Sequence, residues 1–318
     1  MIKDFFISDA FSGNRLVNQF VLFKNLINEY FIIYIDNKDD ISLICYNIST
    51  QQKVYTLKKI CNHKIKCIHH YLLDNNNVIL ISSYDNSIKI YNAILGTLMY
   101  NFSNLSTKIY YKEYWINSAI LYLKNKKFYL IYSNYYEKSI YYFNLEKYEK
   151  KILIDNIDSL FFLEVYSFVN ENDKKDILIT CGYKRNTKFF DLEHKTLFKI
   201  YETKKYDCRS IQIFNLNNQK YVIIFGLKIL ILFEFFSEKH LYTINETESI
   251  GGCLYNNKYI IYYNKSCIYA LNLETFKNNK INNYKLLNSC DIKIFKHLNE
   301  EKLIINDYGR IFTMKINL

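Results

Sequence analysis

An all-β fold is predicted, a ring of seven four-stranded antiparallel sheets forming one domain over residues 1–318, and three observations predict it. Short apolar strands rich in Ile, Tyr and Phe, side chains that suit a pleated half-buried surface, recur along a chain that has no proline. Seven of them close on a large apolar or aromatic residue followed by a polar one: LICYN at Asn47, IKIYN at Asn92, IYYFN at Asn144, TKFFD at Asp191, ILILFE at Glu234, IYALN at Asn272 and IFTMK at Lys315. These closes are 45, 52, 47, 43, 38 and 43 residues apart, the period of a four-stranded propeller blade.

A single such blade cannot bury both of its faces, so the blades must stack around an axis and the ring must close to remove its edges. After Lys315 the chain runs only to Leu318, too short for an outermost strand. The apolar stretch at residues 3–8, KDFFIS, is therefore expected to supply that strand through Phe5, Phe6 and Ile7, completing blade seven.

Blade one covers about residues 20–57, and its acidic b–c turn, DNKDD at Asp36 to Asp40, lacks the spacing and the glycine of a calcium loop, so a solvated turn is preferred. Blade two, about 65–102, carries the most informative constellation. His63 stands before strand a, Ser83 at the end of strand b, Asp85 on the b–c turn and Tyr91 near the end of strand c. If these meet, the Asp85 carboxylate accepts from the His63 imidazole, which in turn reaches the hydroxyls, giving a structural network that holds the turn. The neighbouring run Cys61, His63, Cys67, His69 and His70 is the chain's one metal-like concentration. Its spacing is irregular, and strand alternation sends His69 and His70 to opposite faces, so no metal is assigned.

Blade three, about 115–154, holds the single Trp and the segment IYSNYYEKSIYYFN. Tyr135 and Tyr136 fall on its b–c turn and are candidate partner anchors, although tyrosine is abundant throughout. Blade four, about 160–201, carries the insertion VNENDKKD at Val169 to Asp176, expected to be a polar loop. Its b–c turn (Gly182 to Asn186) and the following connection (Glu202 to Arg209) are both basic. Blade five has strands b and c joined by Gly226 to Lys228; blades six and seven cover about 250–281 and 291–315.

The blade-two residues resemble one complete unit of the WD-repeat family, whose consensus runs Gly-His, then Ser-x-Asp, then Trp-Asp. Here Asn62-His63 stands for Gly-His and Tyr91-Asn92 for Trp-Asp. The resemblance implies that d–a and b–c connections share one face, commonly the one that receives peptides. Lys184, Arg185, Lys204, Lys205 and Arg209 would then cluster on one sector of that face, suited to an acidic or phosphorylated segment of a partner protein. It also implies a scaffold or adaptor that binds other proteins.

The formal net charge of +11 invites nucleic-acid or anionic-lipid binding as an alternative. Against nucleic acid stand the even spread of Lys, only four arginines, and the absence of an RNP-type signature or a GxxG loop. No GxGxxG, GxSxG, HExxH or phosphate-loop pattern occurs, and Gly251-Gly252 lacks the lysine that phosphate cradling needs. No catalytic residue and no cofactor is therefore assigned. A propeller enzyme whose groups converge from distant blades is the remaining alternative. The eight cysteines never form a CxxC pair and sit among apolar neighbours, no secretory signal is visible, and the longest apolar run, Tyr221 to Phe236, is too short and too interrupted to span a bilayer. Cytoplasm, with the nucleus as the other reducing compartment, is the expected location.

Overall fold

The computed structural model describes residues 20–316, apart from 37–40, 104, 106–115, 126, 135–136, 156, 158–159, 171–172, 183–185, 203–207, 218, 238, 250, 265–266, 283–288, 298–299 and 308–309. Seven antiparallel sheets follow one another along the chain, and every regular element described is a strand. Sheet one comprises β1 (Phe20–Lys24), β2 (Tyr30–Asp36), β3 (Ser42–Asn47) and β4 (Gln52–Leu57). Sheet two comprises β5 (Ile65–Leu73), β6 (Asn76–Ser83), β7 (Ile88–Asn92) and β8 (Leu98–Phe102). Sheet three has β9 (Ile116–Lys124), β10 (Lys127–Asn134), β11 (Ile140–Asn144) and β12 (Glu149–Ile154), and sheet four β13 (Leu160–Asn170), β14 (Asp173–Gly182), β15 (Asn186–Asp191) and β16 (Thr196–Glu202). Each pairs in chain order, so strands one to four are the a, b, c and d strands of a blade.

Sheet five is β17 (Cys208–Leu216), β18 (Gln219–Glu234) and β19 (His240–Ser249). β18 folds back on itself. Its first half, to Gly226, pairs with β17, its second half, from Leu227, pairs with β19, and the Phe235 N–H donates to the Lys220 carbonyl at 2.7 Å. The reversal takes Lys228 into the left-handed region at a φ of 67°, so sheet five also has four passes of chain with strands b and c joined at the expected place. Sheet six is β20 (Gly251–Tyr255), β21 (Tyr259–Tyr263), β22 (Ile268–Asn272) and β23 (Asn278–Asn282). Sheet seven is described by β24 (Ser289–His297), β25 (Glu300–Asp307) and β26 (Arg310–Lys315). The expected closing segment at 3–8 lies outside the described residues.

The Cα trace forms two compact units, one built on Val21–Ile35 and Asp39–Asp207 and one on Cys208–Leu318. In the first, apolar layers join sheets one and two, two and three, and three and four. Alternation along a strand explains the continuous apolar run VILIS in β6: Ile79 and Ile81 enter the layer with sheet one, Val78 and Leu80 the layer with sheet three. In the second unit, Phe225, Leu230 and Tyr262 belong to the layer between sheets five and six, and Ile261, Ile268 and Leu303 to that between six and seven. Each fully buried Ile or Leu contributes roughly 1.5–3 kcal/mol, so these layers are the main stabilising force.

One expectation is overturned. Residues 169–170 and 173–176 are strand, not loop: β13 and β14 extend through the pairs Ser167 with Asp176, Phe168 with Lys175 and Asn170 with Asp173. Ser167 is exposed and Lys175 and Asp176 are half-buried, so polar side chains are compatible with strand there, and Asp176 anchors the pair by accepting from Tyr122 Oη at 2.6 Å and from Ser167 Oγ.

Candidate interaction surface

Each b–c turn lies at the same end of its sheet as the connection that leads into strand a. In sheet two the turn is closed by Ser83 N–H donating to the Ser87 carbonyl at 3.1 Å, with Asn86 in the left-handed region at φ 61°. Asp85 organises it: Oδ2 accepts the Asn62 N–H at 3.0 Å, and Oδ1 accepts the Ser87 N–H at 3.1 Å and the Ser87 hydroxyl. Ser83 Oγ donates to the His63 carbonyl at 2.8 Å, and Tyr84 N–H donates to the Lys64 carbonyl at 3.0 Å. The turn is thus pinned to the chain entering strand a.

Two members behave differently from the expectation. His63 takes part through its main-chain carbonyl while its side chain is exposed, because the hydroxyl of Ser83 needs only an acceptor and the main chain already supplies one. Tyr91 is buried in the layer between sheets one and two, where burial, with Cys61 adding to it, pushes its phenol up to about 12.

Sheet three repeats the pinning with residues that the sequence did not single out. Ser139 Oγ, one residue before strand c as Ser87 is, donates to Asp155 Oδ1 at 2.6 Å, and the Ile157 N–H donates to the Lys138 carbonyl at 2.7 Å. Lys150 Nζ donates to the Leu105 carbonyl at 2.7 Å and sits 3.7 Å from the centre of the Tyr141 ring and 5.7 Å from that of Tyr132. Burial lowers its pKa while Glu137 acts the other way. The shared strings SIKIYN and SIYYFN were the available signal for Ser139.

Of the candidate partner-binding residues, Tyr135, Tyr136, Lys184, Arg185, Lys204 and Lys205 lie outside the described residues. The main chain of Arg209 is described, on β17, and it occupies a recurrent position. Between Cys208 and Ser210 the pairing to β18 slips by one, leaving Arg209 as a bulge. The same slip in register falls at Lys66, Asn117, Phe161 and Cys290, at the b–c end of strand a in sheets two, three, four and seven. A bulge re-aims its side chain. In sheet two the effect is visible: Lys66 Nζ lies 5.7 Å from the centre of the Tyr84 ring, over the b–c turn.

The metal-like run in sheet two is dispersed into local contacts. Cys67 Sγ lies 2.8 Å from Ser82 Oγ in the interior, and His70 Nε2 is 2.9 Å from Asn77 Oδ1 with its ring stacked on Phe23 at 4.5 Å. His69 tilts against Tyr71. Burial raises the Cys61 and Cys67 thiols, which keeps them protonated. Among the described residues no group of three or more His, Cys, Asp or Glu is placed to hold a metal ion, and no helix is long and apolar enough to cross a membrane. Gly251 and Gly252 are explained by packing: a Cβ on Gly251 would strike Tyr263, and one on Gly252 the Ile261 carbonyl and the Phe225 ring.

No family model matches the chain, and no curated protein matches it in sequence. Solved structures do match, 1420 chains in all, a fold too widely shared to select an activity by itself. One is a crystal structure of BBS1N in complex with ARL6DN, soaked with lead. It is similar at a TM-score of 0.67 and 11% sequence identity, covering 91% of this chain and 88% of that one. The likeness establishes the fold, a seven-bladed all-β propeller.

Proposed function

We propose that the chain is a WD-repeat-type propeller that acts as a non-catalytic scaffold, binding a peptide or subunit of another protein on the face of its b–c turns and d–a connections. The observation that carries this is the pinned b–c turn of sheet two, where Asp85 and Ser83 hold the turn against the chain entering strand a. A surface held in place loses little freedom on binding. The similar propeller was crystallised with a protein, ARL6DN. Lys184, Arg185, Lys204, Lys205 and Arg209 remain the residues proposed to draw an acidic or phosphorylated segment, with Tyr135 and Tyr136 as anchors. Among the described residues seven cysteines are free thiols, six of them buried, which suits a reducing compartment such as the cytoplasm.

The test is affinity purification of the tagged chain from its native cell. One or more proteins recovered in stoichiometric amount are expected. Recovery of the chain alone, under gentle lysis and at low salt, would overturn the proposal.

A further inference from the structure

Where the chain passes from one blade to the next, a buried apolar residue anchors the connection. Ile60, Leu105 and Ile157 stand between β4 and β5, between β8 and β9 and between β12 and β13, and each buries its side chain in the apolar layer between the two sheets it joins. Toward the sheet being left, the tie is a main-chain N–H. Ile60 donates to the Ile41 carbonyl at 3.1 Å and Ile157 to the Lys138 carbonyl at 2.7 Å, both acceptors lying on b–c turns. Toward the sheet being entered, the tie is an ammonium group. Lys89 Nζ of sheet two donates to the Ile60 carbonyl, and Lys150 Nζ of sheet three donates to the Leu105 carbonyl at 2.7 Å, where Tyr132 Oη also donates at 3.4 Å.

The two lysines reach that carbonyl by different routes. Lys89 is the second residue of β7, and aligning SIKIYN with SIYYFN puts Tyr141 at the same place in β11. In sheet three the ammonium comes from β12 instead, across the face of the Tyr141 ring at 3.7 Å. One contact made from two places in the sheet marks the carbonyl as the thing being held. Both lysines are half-buried, and an ammonium withdrawn from water needs an acceptor or an aromatic face in its place. Ile60, held at its N–H and at its carbonyl, keeps the chain around it in one arrangement, so little freedom is lost when a partner docks. We propose that Lys89 and Lys150 are positioning residues of the partner-binding face: each fixes the connection entering its own sheet and acts on the partner through that connection. The inference rests on the b–c face being the docking face.

Two readouts on the full chain test it, using Lys150→Met, which removes the cation, and Lys150→Arg, which returns a cationic donor able to lie on the ring. Hydrogen exchange of the chain alone reads the clamp: the segment around Leu105 should exchange at least about five-fold faster in the Met variant, beyond any change in β10. Calorimetry with a companion co-purified with wild type reads the positioning: the Met variant should bind at least about five-fold more weakly and the Arg variant within about two-fold of wild type. Lys89→Met should repeat the exchange result around Ile60. No acceleration beyond that in β10 overturns the clamp. Faster exchange with unchanged affinity overturns the positioning role, and so does weaker binding without faster exchange, which would put Lys150 in direct contact with the partner. An Arg variant as weak as the Met variant overturns it too. Failure of the docking reading looks different: no companion is recovered with wild type, the positioning role falls with it, and the exchange result still decides the clamp.

Discussion

Asn92 accepts, through Oδ1, the main-chain N–H of Leu95 at 2.9 Å, and this one bond explains why strand c so often closes on an amide or carboxylate. Asn47, Asn144, Asp191 and Asn272 accept in the same way from Thr50, Lys147, His194 and Thr275. Four residues after each close the chain enters the left-handed region, at Gln51, Gly96, Tyr148, Lys195 and Phe276. The polar close is a turn cap, and the turn it caps reverses the chain into the outer strand.

Removing the cap by Asn144→Ala should therefore cost about 1–2 kcal/mol in urea unfolding, because the N–H groups of Glu146 and Lys147 lose their acceptor. The left-handed residue gives a prediction of opposite sign. Lys195→Gly should stabilise by up to about 1 kcal/mol by relieving a backbone that L residues disfavour. Gly96→Ala should destabilise by about 1–2 kcal/mol, since its φ is 70° and the new Cβ would sit 3.3 Å from the Tyr55 ring.

The pinned turn of sheet two separates main-chain from side-chain roles. Asp85→Ala strips an acceptor from Asn62 and Ser87 and should cost about 1–3 kcal/mol. His63→Ala should change stability by less than about 0.5 kcal/mol, since only its carbonyl is used and its side chain is exposed. A cost at His63 equal to that at Asp85 in thermal melts would show that the imidazole carries the network after all.

Asp191 predicts a pH dependence. Burial opposes its ionisation, but Lys175 Nζ at 2.8 Å, the His194 ring at 3.0 Å and the N–H groups of Glu193 and His194 outweigh it and hold the carboxyl well below its ordinary 3.8. A folded-state pKa below the unfolded one stabilises the protein fully above the unfolded value, and the contribution is lost as pH falls from there toward the folded value. The advantage of wild type over Asp191→Asn, on the order of 1–2 kcal/mol at pH 7 after allowing for the exposure of His194, should shrink below about pH 4. Paired urea titrations across that range would show it, and an advantage that grew on acidification would be of the wrong sign.

β26 is the outermost described strand of sheet seven, where the other sheets have a fourth pass. If residues 3–8 supply it, deleting residues 1–10 should lower the melting temperature strongly, because the sheet's apolar edge is uncovered. An unchanged melt would separate the N-terminus from blade seven.

Most of the architecture was legible because burial on both faces writes strands b and c as unbroken apolar runs, and because the capped turn fixes a polar residue at each close. That pair of constraints marked Asn47, Asn92, Asn144, Asp191 and Asn272 correctly, and the glycine at 226 marked the hairpin inside β18. Polarity misled at 169–170 and 173–176, where paired strand has the composition of a loop. The role of His63 was illegible because a main-chain carbonyl leaves no trace in residue type. The bulges at Lys66 and Arg209 were hidden for the same reason, and Ser139 and Asp155 because they meet only after the chain has traversed an outer strand.

The central claim is that the b–c face receives a partner protein through its basic sector. Its most direct measurement is calorimetric titration of a purified companion into wild type and into the variant Lys184→Glu, Arg185→Glu, Lys204→Glu, Lys205→Glu. A loss of affinity of at least about ten-fold, with the melting midpoint retained, is predicted. Equal affinity for the two proteins would contradict it.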